Sequence, residues 1–555
     1  MENMDFDLRS VQETRNLCKA GAAAAEKIAT FNEEQIDRIL RNMVRVAEEH
    51  AAELAQMAVE DTGFGKVLDK TYKNHAASTL VYNYIKDMKT IGVVAEDHAN
   101  RTFEVAEPVG LIMGIVPSTN PTSTAIYKSL IAIKSRNAIA FSPHPTALRC
   151  TLRAVQLMAQ AAEEAGAPHG TIGCQTMCSR EATSEMMHHK DVKLIIATGG
   201  PGMVKAAYSA GKPAIGVGAG NSPAYIERTA DVKQAVTDII ASKTFDNGTI
   251  CASEQSIIVE ECNRDAVVAE LKRQKAYFLN PEELQKVCAL LFKNGGHAMN
   301  AKFVGRSAKV IADGAGVNVP ADTTVLIGPQ TGVGEGNPLS YEKLTCVLAF
   351  YVVRDWHEAC DLSIRLLQNG IGHTMNIHTN DENIVREFAV KPASRILINT
   401  GGTQGGTGLS TGIAPAFTLG CGTWGGSSVS ENVTPMHLIN RKTVCYGIKP
   451  VTTLMQDDPT FSCPAGQSGY SPAAAQAPIS YSTGCGLRSC DANSPASFAR
   501  TPQARAHIDT VLSSQAVQQE RSGAVAPESA PADPGINAEQ LKDMIDSLVK
   551  AMKGE

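Results

Sequence analysis

No stretch of this sequence strings together the ~18 apolar residues of a membrane span. Its opening residues, Met1 to Arg9, are polar and acidic, unlike a signal peptide. These two absences point to a protein that neither crosses a membrane nor carries an export signal. Basic excess is missing as well: 51 Lys and Arg stand against 57 Asp and Glu, for a net charge of -6. Nucleic-acid modules normally carry clustered Lys and Arg, so a polyanion-binding surface is not expected. The 14 cysteines include no Cys-x-x-Cys pair. Without an export signal, that pattern favours reduced thiols over a disulfide framework or a zinc site. No His/Glu cluster has zinc-enzyme spacing either, so no metal ligand is assigned. Two glycine-rich stretches miss the phosphate-binding fingerprints. Gly216-Val217-Gly218-Ala219-Gly220-Asn221 is not G-x-G-x-x-G, and Gly401 to Gly408 lacks the Lys-Ser/Thr of a P-loop. The latter counts against a nucleotide triphosphatase.

What is present reads as an ordinary globular protein of about three or four lobes, with 43% hydrophobic and 19% charged residues. The first ~90 residues have helical periodicity; Ile36, Ile39, Leu40, Met43, Val44, Val46 and Ala47 are spaced for one face, and Thr30-Phe31-Asn32 supplies an N-cap ahead of Glu33 and Glu34. Short apolar runs then alternate with helical stretches: Leu111–Ile115, Ala138–Phe141, Leu194–Ile196 and Ala224–Ile226. That βαβ rhythm predicts a doubly wound parallel sheet. It resumes with Ser256–Val259, Val325–Ile327, Val347–Val353 and Ile396–Ile398. The expected architecture is α/β, with helices and a dinucleotide-binding lobe over 1–230 and a second lobe over 231–430. Outlying strands near 101–107 and within 431–448 should pair into a small sheet that other subunits extend.

Past Gly447 the composition turns to Pro, Ala, Ser, Gly and Gln. A linker too poor in hydrophobes to fold is expected over 449–535; Cys485 and Cys490 fall inside it and carry no structural role. Residues 536–555 differ, because Leu541, Met544, Ile545, Leu548 and Met552 follow helical spacing. So short a helix is marginal alone, and behind a long tether it reads as a docking helix for a partner's groove.

Chemistry centres on Thr244-Phe245-Asp246-Asn247-Gly248-Thr249-Ile250-Cys251, which runs straight into the β-branched Ser256–Val259. A turn followed by a strand is how a nucleophile is commonly presented, with backbone N–H groups available to an oxyanion. On spacing alone, the first reading of Cys251 is a small buried hydrophobe, and it is the rest of the chain that favours a nucleophile. Val116-Pro117-Ser118-Thr119-Asn120-Pro121 ends a predicted strand at the mouth of the sheet, where an Asn amide could donate to an oxyanion or simply start a turn. Ile196-Ala197-Thr198-Gly199-Gly200-Pro201 has the strand–turn–helix layout that seats a pyrophosphate.

As a set, these stretches, with Glu342-Lys343-Leu344 and Thr418-Leu419-Gly420-Cys421-Gly422-Thr423-Trp424 running on to Asn432, resemble the aldehyde dehydrogenase superfamily. The likeness is to its coenzyme A-acylating branch, and in particular to the propionaldehyde and acetaldehyde dehydrogenases of bacterial microcompartments. It covers about residues 10 to 448 and the terminal helix. The resemblance implies Cys251 as nucleophile, with Asn120 and the Cys251 amide as oxyanion hole. It further implies NAD and coenzyme A as co-substrates. Pro117, Ser118, Thr119, His144, Thr198, Gly199 and Gly200 would lie along the cofactor, and Glu342 on its nicotinamide ribose. Hydrolytic relatives place a water-activating glutamate in the stretch matching Ile215 to Pro223, near Val217; here that stretch has no carboxylate. A thioester on Cys251 should then wait for a thiol rather than meet activated water.

The expected reaction is therefore oxidation of a short aldehyde, propionaldehyde or acetaldehyde, to acyl-coenzyme A, with a partly ionised Cys251 thiol. His373 is a conceivable base, though equally a packed histidine. The same resemblance implies a homodimer or homotetramer, and a location in a microcompartment lumen, where residues 536–553 would bind shell proteins. The rival readings are a hydrolytic aldehyde dehydrogenase and a catalytically idle shell-assembly scaffold.

Overall fold

Asn32 and Gln35 start the first well-capped helix. The Asn32 side chain accepts from the Gln35 N–H and the Gln35 side chain from the Asn32 N–H, both at 2.9 Å, so two otherwise orphaned amides are satisfied reciprocally. The helix Glu33–Glu49 buries Ile36, Ile39, Leu40, Met43 and Ala47, the face expected from their spacing. It packs on the helices Pro121–Lys134 and Leu148–Glu164. The computed structural model describes residues 5–293 and 298–451, together with 454, 458 and 460. The expected linker, apart from its first residues and those three, and the expected terminal helix lie outside the described residues. The chain divides into units 1–450 and 451–555, and the fold below is that of the first.

Strands β1 (Gly92–Asp97) and β2 (Thr102–Pro108) form an antiparallel hairpin. The late strand Ile439–Cys445 pairs antiparallel with β2, from Ile439 opposite Pro108 to Cys445 opposite Thr102. The two outlying strands thus meet within one chain, as expected.

Five parallel strands follow: β3 (Leu111–Ile115), β4 (Ala138–Ser142), β5 (Ile172–Cys174), β6 (Val192–Thr198) and β7 (Ala214–Val217), in spatial order β5-β4-β3-β6-β7. The chain leaves β3 toward one edge and returns at β6 on the other side. The loops leaving the carboxyl ends of β3 and β6 therefore diverge and open a crevice between them, the place where such sheets bind ligands. Strands β3 and β4 are buried along their whole length, which is why they read as continuous apolar runs rather than alternating ones.

A second, seven-stranded parallel sheet has the order Tyr277–Phe278, Leu326–Pro329, Val347–Val353, β9 (Glu254–Glu260), β8 (Ser222–Ile226), Gly372–His378 and Ala393–Ile398. Strand β8 belongs to this sheet, not to the first. The crossing between sheets falls at Gly218 to Asn221, ahead of the boundary expected at 230. The chain also returns before 430: Ala416, Phe417, Leu419, Val433 and Leu438 share a core with Ile36, Ile112 and Tyr127. Both departures have one cause. An apolar run betrays a strand but not which sheet it pairs with, since pairing is a non-local choice. Among the described residues no helix is long and apolar enough to cross a membrane, and no group of His, Cys, Asp or Glu could hold a metal ion.

Candidate active site

The nucleophile turn is built from three consecutive left-handed residues: Asp246, Asn247 and Gly248, with φ of 47°, 52° and 73°. Asp and Asn tolerate this region better than other side chains, and here Asp246 is held there by its bonds. Its buried carboxylate accepts from the Lys66 N–H at 2.8 Å, Lys70 Nζ at 2.9 Å and Thr249 Oγ1 at 2.7 Å, and also from Lys73 Nζ. Past the turn, Ile250 and Ala252 enter the core of the first lobe while Cys251 between them is only partly buried. Anchoring its two neighbours on one side leaves the sulfur facing a cavity. On another side the backbone of Gly220 presses close; a Cβ there would lie 2.0 Å from the Cys251 carbonyl oxygen.

His373, on the strand Gly372–His378, reaches Cys251. Its Nε2 is 3.0 Å from Sγ, and its Nδ1 is 2.8 Å from Thr374 Oγ1. Arg395 fastens this strand to the loop at 418–432, donating to the carbonyls of His373 at 3.0 Å, Gly420 at 2.6 Å and Ser430 at 3.2 Å. Burial pushes the Cys251 thiol up to about 12, helped by the charge of Glu342; the Arg395 cation and the cysteine's own amide work the other way and lose. Burial, reinforced by Arg395, holds His373 well below the usual imidazole range. Burial thus disfavours the charged form of each, against the partly ionised thiol expected from the turn's dipoles.

Asn120 caps the helix Pro121–Lys134 at the carboxyl end of β3. Its Oδ1 accepts from Lys73 Nζ at 2.6 Å and its Nδ2 donates to Thr119 Oγ1 at 3.2 Å. A cavity of about 380 Å³ is lined by Cys251, Asn120, Pro117, Ser118, Thr119, His144, Thr198, Gly199, Gly200 and Glu342. The ten residues expected at the nucleophile, oxyanion and cofactor positions thus line one space, and His373 meets it through Cys251. A second cavity of about 1000 Å³ shares Pro117, His144, Thr198, Gly199 and Gly200 with it and extends to Arg180 and Met203. Gly200 caps the helix Pro201–Tyr208 with φ of -66°, and a Cβ on it would meet no protein atom within 4 Å. The backbone there is open to a ligand, and its helix N-terminus suits an anion. The loop at 418 joins this wall, since Thr418 Oγ1 lies 3.2 Å from Thr198 Oγ1.

Glu342 Oε1 accepts from the Gly220 N–H at 2.9 Å. Burial raises its carboxyl to about 7, although that amide and two buried lysines oppose the shift. Sequence reading missed the roles of Arg395, Lys73 and Asp246: apart from the bond between Asp246 and Thr249, each acts on residues distant in the chain.

The sequence profile of the Aldehyde dehydrogenase family matches residues 4–283. The chain is 50% identical over 442 residues to the bifunctional aldehyde-alcohol dehydrogenase of Escherichia coli strain K12, covering 78% of this chain and 49% of that protein. It spans about half the length of the curated relatives it matches first. The crystal structure of an acetylating aldehyde dehydrogenase from Geobacillus thermoglucosidasius is similar with a TM-score of 0.79 and 51% identity, over 80% of this chain and 99% of that one. A propionaldehyde dehydrogenase from Rhodopseudomonas palustris, solved with coenzyme A bound and a cysteine acylated, is similar with a TM-score of 0.71 and 27% identity, over 78% of this chain and 97% of that one. The profile match over residues 4–283 and the 51% identity to an acetylating aldehyde dehydrogenase covered over 99% of its length show the family: the chain belongs to the aldehyde dehydrogenase family.

Proposed function

We propose that this chain oxidises a short aldehyde to its acyl-coenzyme A thioester, with Cys251 carrying the acyl group in a ping-pong cycle. The observation that carries this reading is the Cys251–His373 contact at 3.0 Å, in a cleft whose neighbouring stretch Ile215 to Pro223 offers no carboxylate to activate water. Support comes from the acetylating and coenzyme A-bound enzymes to which the chain is similar.

His373 Nε2 takes the thiol proton as Cys251 Sγ attacks the aldehyde carbon. The oxyanion forms beside the Asn120 amide, with the Cys251 N–H as second donor. NAD, when bound, supplies the acceptor for the departing hydride; Pro117 to Thr119, His144 and Thr198 to Gly200 would hold it, and Glu342 would meet its ribose. Loss of hydride from the tetrahedral carbon would leave a thioester on Cys251, and His373 releases its proton to solvent. The thiol of coenzyme A gives its proton to His373 and attacks the acyl carbon. Collapse expels Cys251, which recovers a proton from His373.

The cavity wall also carries the apolar Phe64, Ile250, Val304, Phe417 and Leu419. Glu342 is the one carboxylate among its lining residues, and it disfavours anionic aldehydes. Propionaldehyde is the substrate proposed first and acetaldehyde next. Glu342 also gives the hydrolytic alternative a carboxylate in the same cavity, so the requirement for coenzyme A decides between them. NADH release from C2 to C4 aldehydes, with and without coenzyme A, is the test. Cys251→Ala should abolish it while leaving the fold intact. Free acid released without coenzyme A at a comparable rate would favour the hydrolytic reading. An idle scaffold would show neither turnover nor aldehyde protection of Cys251 against iodoacetamide.

We propose further a homodimer or homotetramer joined through the exposed strand Ile439–Cys445, and a microcompartment lumen as location, reached through residues 536–553. The strand is exposed along almost its full length. Deleting 536–555 should leave solution activity unchanged and end co-assembly with shell proteins; lost catalysis would refute the targeting role.

A further inference from the structure

Lys73 is fully enclosed, and its Nζ meets three partners: Asn120 Oδ1 at 2.6 Å, Thr249 Oγ1 at 2.9 Å and the Asp246 carboxylate. Only the oxygen of a carboxamide can accept from an ammonium, because the NH2 group would set donor against donor. The Asn120 amide is thereby oriented: its oxygen faces Lys73, and its NH2 faces the cavity shared with Cys251. One N–H of that group goes to Thr119 Oγ1, and the other has no protein acceptor among the described residues. The same ammonium reaches the turn before the nucleophile through Asp246 and Thr249. Lys70 completes the cluster, donating to Asp246 and to the Thr119 carbonyl at 3.0 Å.

We propose that Lys73, charge-balanced by Asp246, is a positioning residue that sets the Asn120 amide and the Cys251 turn in register as the two halves of one oxyanion hole. This rests on the function proposed above, in which Asn120 is an oxyanion donor. A bare buried ammonium would be costly, and Asp246 removes that cost by pairing with it. Burial lowers Lys73 while Asp246 opposes the shift, and three oxygen partners take up all three N–H donors of the ammonium. A charge on the amide oxygen also polarises the NH2 that donates to the oxyanion.

The test is a double-mutant cycle on the full chain, with Lys73→Met and Asn120→Ala singly and together. Lys73→Met should lower kcat toward the ~100-fold loss that a missing oxyanion donor costs, with little change in the aldehyde KM. In the Asn120→Ala background the same change should cost no more than about twofold, because the amide it positions is gone. If the two losses multiply in full, or if Lys73→Met leaves kcat unchanged, the proposal is overturned. Should Lys73→Met fail to fold, Lys73→Gln, which leaves Asp246 with Lys70, is judged by the same criterion. The underlying reading fails separately: if Asn120→Ala alone keeps full kcat, Asn120 is no donor, whatever Lys73 does.

Discussion

Cys251 Sγ and His373 Nε2, 122 positions apart in the chain, lie 3.0 Å from each other, and burial favours the neutral form of each. A neutral pair of this kind makes a nucleophile only by moving its proton during attack, so base and thiol work as one unit.

The free enzyme should therefore show slow iodoacetamide labelling that keeps rising from about pH 6 to 9, because the Cys251 thiol is pushed up to about 12. A plateau near neutral pH would mean a preformed thiolate. His373→Ala should cut turnover by the ~10²–10⁴ of a lost general base.

Val217 lines the catalytic cavity and is buried at the end of β7. Val217→Glu should raise NADH formation in the absence of coenzyme A by supplying a carboxylate for water. Acid formation at background would show that the position does not address the thioester.

Two glycines should behave oppositely. Gly220→Ala places a Cβ 2.0 Å from the Cys251 carbonyl oxygen, backbone against backbone, and should cost about 1–3 kcal/mol in denaturant melts together with most of the activity. Gly200→Ala meets no protein atom, so stability should hold while the KM for NAD rises. An unchanged KM would move the cofactor's phosphates elsewhere.

Glu254, buried beside Ser242 and the Gly402 N–H, has its carboxyl raised by burial from 4.5 to about 7. The folded state then holds this proton more tightly than the unfolded state. Its effect is complete below the ordinary carboxylate range, and stability falls as pH climbs to about 7. Glu254→Gln should gain on the parent by up to about 3 kcal/mol between about pH 5 and 8 in urea unfolding. A constant difference across that range would show the carboxyl titrating normally.

Much of the site was legible before any fold was known, because its chemistry sits in short contiguous stretches. A turn that delivers Cys251 into a strand, the Pro117–Asn120 and Thr198–Gly200 corners, and the lack of a carboxylate from Ile215 to Pro223 are local facts, and the eight residues of that turn and those corners line one cavity with His144 and Glu342, which the resemblance added. Helix caps such as Asn32 were equally visible, since capping is a bond between near neighbours.

What tertiary structure alone decided is everything that depends on distant partners or on exclusion of water. It joined β8 to the second sheet, brought His373 and Arg395 to the thiol, and buried Lys73 and Asp246 behind Asn120. It also set burial against the ionisation expected of Cys251. Sequence neighbours suggest which dipoles are near a thiol, but desolvation is set by the whole packed surround, and here it is the larger effect.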